Sequence, residues 1–268
     1  MNYNLIKTEL KRDTKIFLIV TLSLTGFFCI TLSMYSVMKE SMMDIASLYS
    51  SMSPAIMKAI NFSDGQWNHV LGFYSTYFGY YIPLMAGAYS IFLGVSILSR
   101  EEQNKTAEFL LAKPISRKEV ISSKLSVLIF FIFLLNLTVW LNGVLWTGFI
   151  SGFKETFVQI SILHTYGLFI CIFFGVLGFF ITVLMKRAKA IIGPAIGIVM
   201  FMFMFDMIIR ITDKAQFLLY LTPYKYMNVN VMPEDYNMEW WRPGVMAAAS
   251  VALILLSYLF YKKKDILI

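Results

Sequence analysis

Charge is the first thing this sequence of 268 residues lacks: only 15% of the chain is Asp, Glu, Lys or Arg, against 58% hydrophobic and 16% aromatic residues. Soluble domains carry roughly a quarter charged residues, so that balance excludes an ordinary soluble protein. The aromatic content excludes a disordered chain, because such chains are poor in the groups that build a core. Cysteine is scarce as well. Cys29 and Cys171 are the whole supply and both lie within apolar runs, which excludes a disulfide framework and a zinc site. The two histidines, His69 and His164, stand at the ends of apolar runs with no second ligand at helical spacing. They read as interfacial polar residues. A G-x-x-x-x-G-K-[ST] phosphate loop is also missing, so the chain does not hydrolyse ATP by that route.

What is present is apolar length. A helix needs about 20 mostly apolar residues to cross a bilayer. Stretches at about 16–38, 70–98, 125–150, 162–185, 190–209 and 243–261 meet that need. The sequence therefore predicts an all-α polytopic membrane protein with six transmembrane helices in a single domain over 1–268. The first span is too long for a cleavable signal and lacks a small-residue cleavage pattern, so it is expected to be retained. Lys and Arg set the orientation. With the N-terminus inside, sixteen of the 23 cations fall in inner segments and seven outside. Both termini are expected in the cytoplasm and the protein in the cell membrane. The net charge of +7 then reads as a topology signal and an affinity for anionic lipid headgroups, not as a nucleic-acid surface.

Between the spans, residues 2–14 are amphipathic, with Tyr3, Ile6 and Leu10 at helical spacing, and predict an interfacial helix on the inner leaflet. Residues 210–242 hold FLLYLTPYKY, too short to span and too apolar to float free, so an interfacial or re-entrant element is expected, with Trp240 and Trp241 at headgroup level. Pro83 predicts a kink in span two. Glycine stripes in spans two, four and five (Gly193 and Gly197 in the last) predict close helix packing within the chain. Asp206 is the one acid inside an apolar run. Arg210 follows at i+4, and a structural polar pair near the outer interface is the reading, ahead of a substrate or proton site.

The densest polar segment is the inner loop REEQNKTAEFLLAKPISRKEVISSK, residues 100–124. Pro114 breaks one helical stretch, and Ser116 with Glu119 three residues on has the form of a capping box opening the next. Two short helices around a turn, with Phe109, Leu110, Leu111 and Ile115 as an apolar knob ringed by charge, would suit docking of another protein. An enzymatic alternative fails on its residues: Glu101 and Glu102 fit the start of the Glu-Glu-x-x-x-Arg motif of prenyl endopeptidases, but Thr106 stands where Arg is needed. A membrane sensor or assembly factor is the other class this composition admits.

This loop resembles that of permease subunits of ABC transporters of the ABC-2 type. Those carry, after their second span, a stretch like E-E-x-x-x-T-x-E-x-L-L-x-x-P-[IV]-S-R. Here the matching positions are Glu101, Glu102, Thr106, Glu108, Leu110, Leu111, Pro114, Ile115, Ser116 and Arg117, with Lys124 at the basic position before span three. Lys113 departs from the small polar residue common there. LIKTELKR (5–12) is similar to the family's N-terminal elbow helix, SPAIMKAINF (53–62) to its first outer loop, LTPYKY (221–226) to its last, and YKKKDIL (261–267) to its closing segment. The resemblance implies a half-transporter without cofactors of its own. Two permease subunits, identical or related, would surround a pathway, and separate ATP-binding subunits holding ATP and Mg²⁺ would dock on a coupling helix between spans two and three. It assigns the coupling role to Glu101, Glu102, Thr106, Glu108, Phe109, Leu110, Leu111, Pro114, Ser116 and Arg117. It further implies export of amphipathic or hydrophobic cargo, such as a peptide toxin, an antimicrobial peptide or a lipid-like molecule. Phenol-soluble-modulin exporters and bacitracin- or lantibiotic-immunity permeases are the functional analogues.

Overall fold

Among the described residues of the computed structural model, six helices are long and apolar enough to cross a membrane. The structure describes residues 2–38, 41, 53, 56–57, 67, 69–104, 115–185, 191–230 and 237–264, and among these there is no β-strand. Seven α-helices supply the spans: α1 (Tyr3–Met38), α2 (Val70–Tyr81), α3 (Gly87–Gln103), α4 (Arg117–Ser151), α5 (Phe153–Leu184), α6 (Ile192–Ile211) and α7 (Trp241–Lys263). The all-α, six-span expectation holds.

α1 corrects the expected separate interfacial helix. Residues 3–14 are helical, but they run without a break into span one, in a helix of 36 residues. The reason lies on its buried face, where Leu5, Glu9, Asp13, Phe17, Thr21, Leu24, Phe28, Leu32 and Tyr35 recur at three- and four-residue intervals. One continuous stripe packs against the bundle, and a helix turned onto the lipid surface would forfeit it. Leu18, Ile19, Leu22, Ile30 and Met34 are exposed, as befits a lipid-facing side.

Span two is α2 and α3 joined through a π-helical turn, Ile82–Ala86, with Pro83 in its first turn. Proline has no N–H and its ring crowds the carbonyl four residues earlier, so the helix absorbs the defect as a wider turn. The expected irregularity at Pro83 takes this form. α3 then packs along α5 more extensively than any other pair of helices. Closest approach is at Gly94, where an added Cβ would collide with the Gly175 carbonyl oxygen. That is the close packing expected of the stripes in spans two and four. Span five differs: a Cβ at Gly193 or Gly197 would meet nothing within 4 Å.

Spans three and four meet at Gly152, whose φ of +96° is a conformation that side-chain-bearing residues avoid. α5 therefore starts at Phe153, about two and a half turns before the expected 162. This places His164 well inside the helix and corrects its interfacial reading. It is 3% exposed, with Nε2 2.7 Å from the Tyr74 hydroxyl and Nδ1 3.3 Å from Asn136 Oδ1. Polar groups withdrawn from water in a bundle need such partners.

At the end of the bundle away from the termini, 3₁₀ helices cover Asp213–Leu221 and Pro223–Tyr226. Pro223, Tyr224 and Tyr226 are buried, with the Tyr224 hydroxyl donating to the Val199 carbonyl at 3.0 Å, while Phe217, Tyr220 and Leu221 stay exposed. Trp240 and Trp241 are exposed where α7 begins. Arg242 donates to the Lys225 carbonyl at 2.7 Å, tying this segment to α7. Hydrogen bonds from Arg242, Asn228 and Trp241 hold the Glu239 carboxyl below the ordinary carboxylate range.

Candidate functional site

The C-terminal end of α3 and the N-terminal end of α4 flank the inner loop, and both are built into an ionic cluster. Lys124 on α4 is 1% exposed. Its Nζ donates to Glu101 Oε2 at 2.7 Å, to Glu9 Oε1 at 3.0 Å and to the Ile97 carbonyl. Arg100 on α3 reaches Glu9 Oε2 at 3.1 Å, pairs with Asp13 and donates to Ser96 Oγ at 3.1 Å. Arg12 closes the ring on Glu101 at 3.3 Å. The three acids and three cations balance. Isolated charges would be expelled from such a site, and these persist because each has opposite-sign partners and hydrogen bonds.

A second set of contacts brings in the C-terminal ends of α5 and α7. Lys264 Nζ pairs with Glu102 Oε1 at 2.7 Å and donates to the Thr182 carbonyl at 2.9 Å. Arg117 donates to the carbonyls of Tyr261, Lys262 and Lys264 at 3.2, 3.1 and 2.8 Å, capping the orphan acceptors of α7. Asn2 N donates to Ser123 Oγ at 2.9 Å. Ends of α1, α3, α4, α5 and α7 thus converge at one end of the bundle, together with both ends of the described chain.

Each residue assigned to coupling has a definite place or lies outside the described residues. Thr106, Glu108, Phe109, Leu110, Leu111 and Pro114 are outside, as is the expected coupling helix. Ser116 opens α4 with the expected capping box: Glu119 N donates to Ser116 Oγ at 3.2 Å and Ser116 N to Glu119 Oε2 at 2.9 Å. The helix it opens is not short, since α4 continues through span three for 35 residues. Glu101, Glu102 and Arg117 turn inward to intramolecular partners. Glu9, Asp13 and Arg100 were not read as site residues. A signal for the acids existed: Glu9 and Asp13 follow Ile6 and Leu10 by three residues each and so share the apolar side of the helix.

The expected Asp206–Arg210 pair forms, with Arg210 Nε 2.6 Å from Asp206 Oδ2. Thr222 Oγ1 donates to the other carboxylate oxygen at 2.8 Å. At 4% exposure Asp206 is buried more deeply than an interfacial pair requires, because the 3₁₀ segment folds over it. No group of three or more His, Cys, Asp or Glu arranged to hold a metal exists among the described residues.

Six apolar spans among the described residues, five of them tied together at one end by ion pairs and hydrogen bonds, define a multi-pass membrane protein. The chain belongs to the ABC-2 family transporter proteins, whose family profile matches residues 4–266. It is thus a transmembrane subunit of an ABC transporter, a component distinct from the ATPase, and membership implies an ATP-binding partner subunit. No curated protein matches the chain.

Proposed function

We propose that this chain is the permease of an ATP-driven exporter of amphipathic or hydrophobic cargo, a peptide toxin, antimicrobial peptide or lipid-like molecule. It pairs with an identical or related permease, and a separate subunit that holds ATP and Mg²⁺ docks on the inner loop. The observation that supports coupling through this loop is the ionic cluster. Residues 105–114 connect α3 to α4, whose adjoining ends are fixed to α1, α5 and α7 by Glu101, Glu102, Arg117 and Lys124. A push on the loop by a partner therefore reaches five helices through short, stiff contacts. Phe109, Leu110 and Leu111 supply the apolar anchors for docking, with Thr106, Glu108, Pro114 and Ser116 shaping the loop. The 16-to-7 cation split supports cytoplasmic termini in the cell membrane.

The experiment is co-expression with a candidate ATP-binding subunit, followed by copurification and cargo-stimulated ATPase measurement. Docking and stimulation are expected for the parent chain, and loss of both for Leu110→Ala with Leu111→Ala. Undiminished docking by that variant would remove the loop from the coupling path.

A further inference from the structure

The far end of α6 carries a cavity of about 50 Å³ that neither the family nor the coupling reading employs. Its walls are largely aromatic and thioether: Tyr80 from α2, Phe203 and Met207 from α6, and Tyr224 and Met227 from the following segment. Phe203 stands edge-on to both tyrosines, with centroids 6.1 Å from Tyr80 and 5.4 Å from Tyr224. Asp206 and Arg210 supply the charged part of the lining, beside Thr76, Gly79 and Val229.

The charge arrangement is lopsided in donors. Asp206 has each oxygen engaged once, by Arg210 Nε and by Thr222 Oγ1. That bond spends only Nε of the guanidinium. Among the described residues, the two terminal amino groups of Arg210 have no hydrogen-bond partner, and its side chain is 22% exposed. A guanidinium held by Nε presents its Nη1/Nη2 edge as a two-pronged donor, the geometry that matches a carboxylate or phosphate. A volume of this size holds a few waters or one such head, at roughly 10–15 Å³ per water. Aromatic and methionine walls suit an alkyl portion next to it.

The geometry points to an oxyanion-headed, single-chain amphiphile as the ligand of this cavity: the head meets the terminal amino groups of Arg210 and the tail lies on the Phe203–Met207–Met227 wall. This deepens the export reading by assigning an anionic amphiphile to the far end of the subunit, and rests on that reading only for its role as cargo. Carboxylate and phosphate heads share the chemistry, and the choice between them is an outcome of the test.

The test uses the full chain in a neutral maltoside detergent. Dodecanoate, dodecyl phosphate and dodecyltrimethylammonium are titrated, with bound adducts read by native mass spectrometry and stabilisation by thermal unfolding. Both anions are expected to bind and the cation not, with the tighter anion naming the head. Arg210→Gln should weaken anion binding at least tenfold. Met207→Trp fills the cavity without touching the ion pair, should weaken it similarly, and decides the matter if Arg210→Gln does not fold. Equal binding of the cation, or anion binding unchanged in Met207→Trp, overturns the site. Anion binding by a chain that docks no ATPase would leave the site standing and remove the export reading. Docking without anion binding would do the reverse.

Discussion

Lys124 Nζ lies 2.7 Å from Glu101 and 3.0 Å from Glu9, so a single buried ammonium joins carboxylates from two other helices. An ammonium has three donors, and the third goes to the Ile97 carbonyl. Every donor on Lys124 is therefore used, and each fixes α4 to a neighbour: α1 through Glu9, α3 through Glu101 and Ile97. A hydrophobic residue at this position could pack but could not set the register of three helices at once.

Lys124→Met keeps the stem and removes the charge, leaving Glu9 and Glu101 buried with reduced compensation. Breaking one side of a buried ionic contact costs about 3–5 kcal/mol, and thermal unfolding in detergent should fall accordingly. Adding Glu9→Gln should recover part of the loss, because one stranded carboxylate is then gone, giving a coupling of about 1 kcal/mol or more in a double-mutant cycle. Additive effects would show that the pair does not act as a unit.

The cluster also divides the loop motif in two. Glu101→Lys should destabilise the chain itself, since it sets a fourth cation beside Arg12, Arg100 and Lys124. Glu108→Lys, proposed to face the ATP-binding subunit and not the cluster, should leave unfolding within about 0.5 kcal/mol of the parent while weakening capture of that subunit. Both are read by a melting curve and a pull-down on the same preparation. Equal melting of the two variants would contradict the division.

Apolar run length made the six spans legible, and the Ser116–Glu119 box was legible because a cap is a local three-residue relation. The Asp206–Arg210 pair was likewise local, at i+4 on one helix. Thr222 was not, since it reaches Asp206 from 16 residues away through a turn no pattern announces. The inward turn of Glu101 and Glu102 was hidden for the same reason: their partners Arg12, Lys124 and Lys264 are remote or ambiguous in sequence, and a charged loop reads as a solvated one. His164 was misplaced because the boundary of α5 depends on Gly152, whose positive φ lets two long helices join directly.

Orientation is tested by cysteine labelling of intact cells after Cys29 and Cys171 are replaced. A membrane-impermeant maleimide should modify Asn237→Cys and not Lys118→Cys, in keeping with the cation split. Contacts at the two ends of the bundle place these positions apart, Lys118 beside the α7 terminus and Asn237 before its start. Labelling of Lys118→Cys from outside would invert the map and move the Arg210 cavity to the cytoplasmic side.

Asp206→Asn keeps the shape of the side chain and removes the charge that Arg210 and Thr222 share. Were the pair merely interfacial, about 0–1 kcal/mol would be lost. Its burial raises the expectation to about 1–3 kcal/mol, tempered because Arg210 can hydrate at its exposed edge. Capture of an ATP-binding subunit should be unaffected, since the proposed docking loop lies at the opposite end. A melting temperature equal to the parent's would return the pair to the interface.

Glycine separates packing inside the chain from packing outside it. At Gly94 a methyl group would meet backbone, the Gly175 carbonyl, which no rotamer change can relieve. Gly94→Ala should therefore force α3 and α5 apart and cost about 1–3 kcal/mol, the range of an overpacked core. At Gly193 and Gly197 a methyl group meets nothing within 4 Å, so alanine there should be neutral or slightly stabilising to the single chain through its higher helix propensity. Melting of the purified monomer checks both. The same substitutions examined in the membrane carry a second reading: if Gly193→Ala and Gly197→Ala leave the monomer intact yet reduce crosslinking between two copies, span five packs its small residues against a neighbouring permease. Crosslinking unchanged by either substitution would leave that face to lipid.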